Sequence, residues 1–540
     1  MRDFRLLAGA VVAAAGLSLA GAAGASADGN HDGFEPGNLV VSRSVYDPAT
    51  LVPGSTLLPP GCVSGCVRAN ADGSYPTVFD NDLVDASFGV TSRIFLDQLS
   101  PSGRPVSSLE VPNSVDPGGS ADQLVTSFSS KSELALNRST DGRELTFMGY
   151  LAPVDAIDVS NSNTPAVIDP TNPVPGTNYR VVASVDARGR FQFTETNAYS
   201  GNNGRAAILD SADDEIFAAG NAGNGGRVQP DGVIAGAGAQ LVTPSTLPES
   251  AQTPGFPTPL ASFNITQLGD RADKIGKDTN FRGLTVFDGV VYYTKGSGGN
   301  GVNTVYFVDT TGTACPNGVG LPVPGAPLPT SPLAYDPAKL QTQGLIPNDM
   351  CILKGFPTAL KSTTSFPFGI WFANADTLYV ADEGNGDATF DPASGTYASA
   401  AAGTGAGLQK WVFDGVAWRL AYTLQAGLDL GQPYTVPGYP TGENAATGLP
   451  WTPATDGLRN ITGRVSKDGS ATIWGITSTV SGNGDQGADP NKLVAIQDRL
   501  DATAPDPGEA FQTLRTAGAG EVLRGVSLTP VQAGSPDPQR

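Results

Sequence analysis

Apolar and polar residues alternate along most of this chain in short runs that are separated by turn-forming residues. One arrangement recurs every 65 to 91 residues: a strand, a tight turn rich in Asp and Gly, and a second strand running into a Gly- and Asn-rich loop. The copies start at Glu133, Arg205, Arg282, Phe368, Arg459 and Arg524, and the last one ends after its first strand. Alternation with a period of two predicts β-strands, and self-similarity at this spacing predicts a repeat architecture.

More alternating runs lie between these units, so each period supplies about four strands. Four antiparallel strands per period are typical of a β-propeller blade. The pattern therefore predicts an all-β fold and a single β-propeller over residues 38–531, with six four-stranded blades, or seven if residues 226–270 contain another. Because the last unit lacks partner strands and the strand after Asn38 lacks an inner neighbour, the N- and C-terminal strands are predicted to pair and close the ring.

The composition fits a loop-rich β protein, since 68 of the 540 residues are Gly, 43 are Pro and only 16% are charged. Residues 1–27 begin with Arg2 and Arg5, continue with an apolar run and end in Ala-Ser-Ala, which predicts a secretory signal peptide cleaved after Ala27. No later stretch has the ~18 apolar residues of a membrane span. We expect a secreted, extracellular protein with a disordered leader (residues 28–37) and tail (residues 532–540).

The formal net charge of −20 predicts a surface that repels nucleic acid and anionic membranes and attracts cations such as Ca²⁺. Asp382, Asp387 and Asp391 concentrate carboxylate oxygens in one Gly-rich segment, which are the ligands that Ca²⁺ prefers. Their spacing does not match the twelve-residue helix–loop–helix pattern. A Ca²⁺ site and a solvated loop therefore both stay open as interpretations.

Four cysteines follow the predicted cleavage site. In an oxidising compartment an even number suggests disulfides, and the pairing that closes the shortest loops is Cys62–Cys66 and Cys315–Cys351. A zinc site is the alternative. It is weakly supported because His31, the only histidine, lies in the predicted leader.

Arginine stands at the start of the innermost predicted strand in four units, at Arg205, Arg282, Arg459 and Arg524. Side chains that point into the channel would form a partial cationic ring suited to carboxylate or phosphate. Side chains that point sideways would hold neighbouring blades together, and their repeated position favours this structural interpretation. The Gly/Asn-rich loops share the same predicted face, which indicates a ligand site there, although Gly and Asn also serve simply as turn formers.

The same face carries residues that could contact a glycan. Trp451 lies in a loop, where its ring could stack on a sugar. Paired carboxylates could perform glycosidic chemistry, and the candidates on this face are Asp382, Glu383, Asp387, Glu443, Asp456 and Asp485. With the only histidine in the leader, Ser-His-Asp and Cys-His catalysis are excluded.

Four segments, FRGLTVFDG (from Phe281), DTLYVADEG (from Asp376), GLQKWVFDGVAW (from Gly407) and LRGVSLTP (from Leu523), resemble a family of secreted bacterial β-propeller proteins. The resemblance covers most of residues 38–531 and implies the fold, export and ring closure, but no catalytic residue. Our first hypothesis is a monomer that binds an extracellular glycan or anionic ligand on the Gly/Asn-rich face. The alternatives are a carbohydrate-active hydrolase or lyase at that face, and a non-catalytic cell-envelope scaffold or adhesion module.

Overall fold

A computed structural model describes residues 33–46, 57–58, 66–68, 73–76, 89–113, 124–172, 174, 176–223, 236–250, 259–271, 280–297, 301–333, 349–360, 364–532 and 534. The predicted signal peptide, most of the leader and most of the tail lie outside the described residues. The described part is built almost entirely of β-strands in antiparallel sheets that are arranged as a propeller-like ring. The predicted all-β, propeller-like architecture is confirmed.

The largest sheet has nine strands and includes both ends of the described chain. Its strands are β1 (Leu39–Val45), β4 (Thr91–Leu99), β5 (Pro105–Glu110), β6 (Leu124–Ser127), β7 (Asn137–Arg138), β8 (Glu144–Leu151), β9 (Arg180–Asp186), β10 (Phe191–Thr196) and β32 (Glu521–Leu528). The N-terminal β1 pairs antiparallel with the C-terminal β32, with Leu39 opposite Leu528. The first and last strands of the described residues are therefore neighbours in one sheet.

Four smaller sheets follow in chain order, and each starts with the hairpin of one recurring unit. The first contains β11 (Gly204–Asp210), β12 (Glu215–Gly220), β13 (Ala239–Val242) and β14 (Pro259–Ala261). The second contains β15 (Leu284–Phe287), β16 (Val290–Lys295), β17 (Thr304–Val308), β18 (Val319–Gly320) and β19 (Met350–Leu353), with β18 parallel to β19.

The third small sheet contains β20 (Pro367–Asn374), β21 (Thr377–Asp382), β24 (Gly407–Phe413) and β25 (Trp418–Leu424). The fourth contains β28 (Ala454–Val465), β29 (Ser470–Val480), β30 (Lys492–Arg499) and β31 (Gln512–Thr516). All their pairings are antiparallel. Four separate sheets and one nine-stranded sheet replace the six separate blades that we predicted. The reason is β6, which pairs with both β4 and β8 and so joins two groups of strands into one sheet.

Short elements lie in the connections. They are the two-stranded ladders β2 (Leu57–Leu58) with β3 (Val67–Arg68), β22 (Phe390–Asp391) with β23 (Thr396–Tyr397), and β26 (Glu443–Asn444) with β27 (Leu449–Pro450), the α-helix α1 (Ala398–Ala401), and 3₁₀ turns at Val159–Asn161, Ile265–Leu268 and Gln486–Ala488. Within the described ranges, every helix is too short to pass through a lipid bilayer.

The sheets pack side by side rather than through strand pairing. The first strand of each recurring unit contacts the first strand of the next unit. Thus β32 contacts β7, β7 and its partner β8 contact β11, and the contacts continue through β15, β20 and β28 back to β32. Large side chains fill the spaces between sheets: Phe287 stacks on Phe372 with ring centroids 4.5 Å apart. We call these first strands the innermost strands, and we call the space that their circuit of contacts encloses the central channel.

One predicted disulfide is present. Cys315 and Cys351 are bonded and join the long connection after β17 to β19. Cys66 is also disulfide-bonded, but Cys62, its predicted partner, lies outside the described residues.

Candidate functional site

The four repeated arginines lie on the N-terminal side of the hairpin turn or chain segment that follows each innermost strand. Arg205 is the second residue of β11, Arg282 lies just before β15, and Arg459 and Arg524 lie within β28 and β32. Neighbouring positive charges repel one another around the channel. Arg282 lowers the pKa of Arg205, and Arg459 lowers the pKa of both Arg282 and Arg524. We call the part of the channel where these arginines lie the arginine mouth. It comprises Arg205, Arg282, Arg459 and Arg524 together with Lys131, Glu133 and Glu383.

Two of these arginines join neighbouring parts of the ring. Arg205 is buried and donates hydrogen bonds to the carbonyl oxygen of Phe281 at 2.7 Å and to Asn280, both just before the next unit. Arg459 is also buried and forms an ion pair with Glu383, whose Oε2 lies 3.1 Å from Nε. The structural interpretation of the arginines fits these two positions.

The other two arginines keep donors that the protein does not use. Arg524 is 3% exposed and donates through Nη2 to the carbonyl oxygens of Phe128 and Gly487, but its Nε and Nη1 have no partner in the described part of the chain. Arg282 donates through its two Nη atoms to Ser132 and Ser297, and its Nε likewise has no partner there. Because an unsatisfied buried donor on a charged group costs free energy, these atoms are suited to hydrogen-bond an anion.

The charges of these cations depend on their surroundings. Burial and the neighbouring Arg459 lower the pKa of Arg524 to about 9, against the opposing effects of Glu133 and Asp485. The side chain therefore keeps its proton at pH 7. Burial and Arg459 also lower the pKa of Lys131, which is only partly buried, while Asp485 and Glu383 oppose that shift.

Acidic residues complete the arginine mouth. Burial alone would raise the pKa of Glu383, but Arg282, Arg459 and Lys131 outweigh it and hold that pKa below its usual value. Glu383 is therefore ionised at neutral pH. Glu133 stands at the start of a unit that has no arginine there, and it is fully buried.

Glu133 is held by hydrogen bonds from four groups. It accepts from the hydroxyl of Thr126 at 2.6 Å, from the backbone N–H of Ser127 at 2.9 Å, from the hydroxyl of Tyr150, and from the side-chain amide of Asn203 at 3.4 Å. Neither Lys131 nor Glu133 is among the site residues predicted from the sequence. The position of Glu133 in the repeat was the signal that could have identified it.

Asp382 and Asp456 hold the loop that carries Glu383. Asp382 accepts from the backbone N–H of Gly384 at 3.0 Å, and Asp456 accepts from that of Gly386 at 2.8 Å. Burial raises the pKa of Asp382 to about 7 and that of Asp456 to about 6, although these hydrogen bonds oppose the shifts. One oxygen of Asp456, Oδ1, has no hydrogen-bond partner among the described residues. Both acids thus lie beside the arginine mouth, and their burial favours the protonated form.

Replacing Gly384 by alanine is expected to destabilise the protein. Its φ of +80° costs an L-residue about 1–2 kcal/mol. A Cβ there would also lie 2.3 to 2.5 Å from carboxylate atoms of Asp456, so that side chain must move. Urea unfolding of Gly384→Ala should show a loss larger than the backbone cost alone.

Gly386→Ala is the matched control for this prediction. Gly386 has a φ of +71° but no atom within 4 Å of an added Cβ, so only the backbone cost applies. Equal losses for the two variants would contradict the contact between Gly384 and Asp456.

The three predicted Ca²⁺ ligands do not converge. Asp382 is buried, whereas Asp387 accepts hydrogen bonds from Thr389 and Ser399. Asp391 accepts from the backbone of Ala393 and from Ser394. Within the described ranges, the three carboxylates form no group whose oxygens lie within 4.8 Å of one another. Ca²⁺ binding stays a prediction.

Trp451 and Glu443 lie in the long connection between β25 and β28. The Trp451 ring is partly buried and makes edge contacts with Tyr75 and Tyr439, each with ring centroids 6.5 Å apart. The hydroxyl of Tyr439 donates to Asp489 at 2.7 Å. The indole therefore packs this connection against the segment around Tyr75, while Glu443 is exposed. Their predicted contacts with a ligand stay predictions.

The Gly/Asn-rich loops of this face are tightly packed where the structure describes them. Asn202 and Asn203 are buried and donate to Gly223 and Ser130, respectively. Asn483 donates to Tyr75 and Tyr439. These asparagines hold turns together, so the unused donors of the arginine mouth offer the stronger candidate for ligand contact.

Comparisons with known proteins add little to this description. No protein-family model matches the chain, and no curated protein matches it. Among solved structures, the acylaminoacyl peptidase of Pyrococcus horikoshii is 9% identical with a TM-score of 0.28, over 79% of this chain and 42% of that one. The chain thus spans less than half of that peptidase. A protein from Lactobacillus plantarum is 10% identical with a TM-score of 0.29, over 80% and 81% of the two chains. These values carry no argument about function.

Proposed function

We propose that this protein is a secreted β-propeller that binds an anionic extracellular ligand, an acidic glycan in the first instance, at the arginine mouth. The observation that carries the proposal is the set of unused donors on Arg524 and Arg282. A carboxylate or a phosphate would accept hydrogen bonds from these donors and would neutralise positive charge at the same time. The parts of this proposal that concern secretion and a monomeric state are based on the sequence alone.

The proposed propeller has six blades. In this interpretation the nine-stranded sheet is two blades joined by β6, one built on β32 and β1 and the other on β8. The circuit of six innermost strands supports this count. The pairing of β1 with β32 would then complete the first blade with strands from both ends of the chain.

The charge distribution supports an anionic ligand over a neutral one. The chain has a formal net charge of −20, yet the arginine mouth holds Lys131 and four arginines. Glu133, Glu383 and Asp485 offset part of this charge, and Asp456 and Asp489 offset more of it where they are ionised. Cations with unused donors therefore attract an anion to this place more strongly than the acidic surface elsewhere does.

Ligand affinity tests this proposal. Isothermal titration with an oligogalacturonate and with inorganic phosphate should detect binding, whereas a neutral galactose oligomer should bind weakly or not at all. The double variant Lys131→Met/Arg282→Gln should weaken the affinity about tenfold or more, because charged hydrogen bonds are lost. Both residues are partly exposed, so the variant should fold.

Arg190→Gln is the matched control, since Arg190 is 73% exposed and pairs with Asp186 on another part of the surface. It should bind as the wild type does. Unchanged affinity in the double variant, or no binding of any anion by the wild type, would reject the arginine mouth as a site. The second result would leave the scaffold or adhesion module as the remaining alternative.

One observation favours a second candidate function, an acidic-glycan hydrolase or lyase. The pKa of Asp456 is raised to about 6 while that of Glu383 is lowered, and the two groups interact. Two carboxyl groups whose pKa values are shifted in opposite directions are suited to act as acid and base. Incubation with polygalacturonate should then release reducing ends or unsaturated uronates, and Glu383→Gln should abolish this release. Failure of the wild type to release either product would reject this function and leave binding intact.

A further inference from the structure

A second concave site lies at the other end of the channel. The innermost strands run from the arginine mouth to a cavity of about 590 Å³ that is lined by residues near their far ends. On β28, for example, Arg459 belongs to the arginine mouth and Arg464 lines the cavity. We call this space the far cavity. Its volume lies within the range of small-molecule sites, roughly 300–1,000 Å³.

The lining of the far cavity combines an apolar wall with hydroxyl groups. Ile208, Phe287 and Phe372 contribute to the wall. Thr285 and Thr462 also line it, and in the described part of the chain their hydroxyls make no hydrogen bond to the protein. Hydroxyl groups of this kind both donate and accept hydrogen bonds, so they suit a ligand that carries hydroxyls itself.

The charge of the lining is positive. Arg138 and Arg464 are its cationic residues, and Asp288 is its only acidic one among the residues that the structure describes. Arg138 already donates to the carbonyl oxygen of Gly142 at 2.9 Å. Arg464 is different, because no described residue forms a hydrogen bond or an ion pair with its guanidinium, although its backbone lies in the ladder between β28 and β29 opposite Thr472.

The position of Arg464 is nevertheless defined. Its guanidinium lies over the ring of Trp474 at 5.8 Å from the centroid, and Trp474 is buried. Contact with an aromatic face leaves the N–H groups along the edges of the guanidinium free. These edges match the two oxygens of a carboxylate, which they can bind in a bidentate manner.

We propose that the far cavity binds a small polyhydroxylated carboxylate, that is, a sugar acid of one or two rings. Its carboxylate pairs with Arg464, and its hydroxyls hydrogen-bond Thr285 and Thr462. The apolar wall packs against the C–H faces of the sugar. This site shares no residue with the arginine mouth, so it does not depend on the function proposed there.

Titration with monomeric D-galacturonate, with D-galactose as the neutral comparison, tests this site. Arg464→Gln should weaken galacturonate binding about tenfold or more, because one charged bidentate contact is lost. Thr285→Trp should have a similar effect by filling the cavity. Arg464→Lys should recover only part of the affinity, since an ammonium keeps the charge but not the planar pair of donors.

The variant Lys131→Met/Arg282→Gln separates the two sites. It should leave binding at the far cavity unchanged while it weakens binding of the oligogalacturonate at the arginine mouth. Thermal unfolding of Arg464→Gln, a partly exposed residue, should match that of the wild type. No binding of galacturonate by the wild type, equal binding of galactose, or unchanged affinity in both Arg464→Gln and Thr285→Trp would overturn the proposal.

Discussion

Replacing Lys410 by alanine is expected to lower the free energy of unfolding by about 3–5 kcal/mol, because it leaves a buried carboxylate without its cation. Lys410 on β24 and Asp498 on β30 are both fully buried, and Nζ lies 3.1 Å from Oδ2. The two strands belong to adjacent sheets, so the ion pair joins them. Urea unfolding at pH 7 would measure the loss.

The surroundings of this pair explain why the expected loss is large. Nζ of Lys410 also donates to the hydroxyl of Tyr422 at 2.9 Å and to the carbonyl oxygen of Arg499 at 2.6 Å. Asp498 accepts from the hydroxyls of Tyr379 and Tyr422. Removing the lysine therefore leaves several buried acceptors without a donor, each at a further cost.

Two controls distinguish this effect from a general one. Arg190→Ala removes an exposed arginine from its pair with Asp186 and should cost at most about 1 kcal/mol. The double variant Lys410→Met/Asp498→Leu removes both charges and should be more stable than Lys410→Ala. If Lys410→Ala were as stable as Arg190→Ala, the buried ion pair would not hold the two sheets together.

Asp456→Asn is expected to stabilise the protein at about pH 8 by on the order of 3 kcal/mol and to have little effect at about pH 4. The pKa of Asp456 is raised from 3.8 to about 6, mainly by burial. Between these values the folded chain holds a proton that the unfolded chain has lost. Stability therefore falls as the pH rises through about 4 to 6, and an uncharged asparagine removes this loss.

Urea unfolding of the wild type and Asp456→Asn at both pH values tests this expectation. Asp387→Asn serves as a control of opposite sign, because hydrogen bonds from Ser399 and Thr389 lower the pKa of Asp387. That variant should be less stable than the wild type at pH 8. A difference between the wild type and Asp456→Asn that does not change with pH would contradict the raised pKa.

Local structure could be predicted from the sequence because it depends on neighbouring residues. The turn between β15 and β16 is an example, since Asp288 and Gly289 have φ values of 49° and 72°. Two successive residues with positive φ suit a tight hairpin, and Asp-Gly is a favoured pair there. The alternating runs on either side become paired strands, with Phe287 opposite Val290.

Contacts between distant residues could not be predicted in the same way. The strand β6 has only four residues, and nothing in its pattern indicates that it pairs at one end with β4 and at the other with β8. Likewise, Arg459 and Arg524 share one position in the repeat but have different partners. Repetition predicted where the arginines lie, whereas their partners come from segments that do not repeat.

The far cavity had no signal in the sequence. Its residues are ordinary strand ends, such as Thr285 and Thr462, which come from different units and form no motif. The ligand site predicted from the sequence lies on the face where the Gly/Asn-rich loops are concentrated. The space itself arises from how the innermost strands pack around the channel.

The pairing of β1 with β32 has a consequence for the order of folding during synthesis. Residues 39–45 are synthesised long before their partner strand, which ends at Leu528. One edge of β1 therefore stays unpaired until β32 has also been synthesised. An unpaired strand edge can associate with other chains. A nascent or truncated chain without β32 is therefore more dependent on a chaperone than the folded protein is.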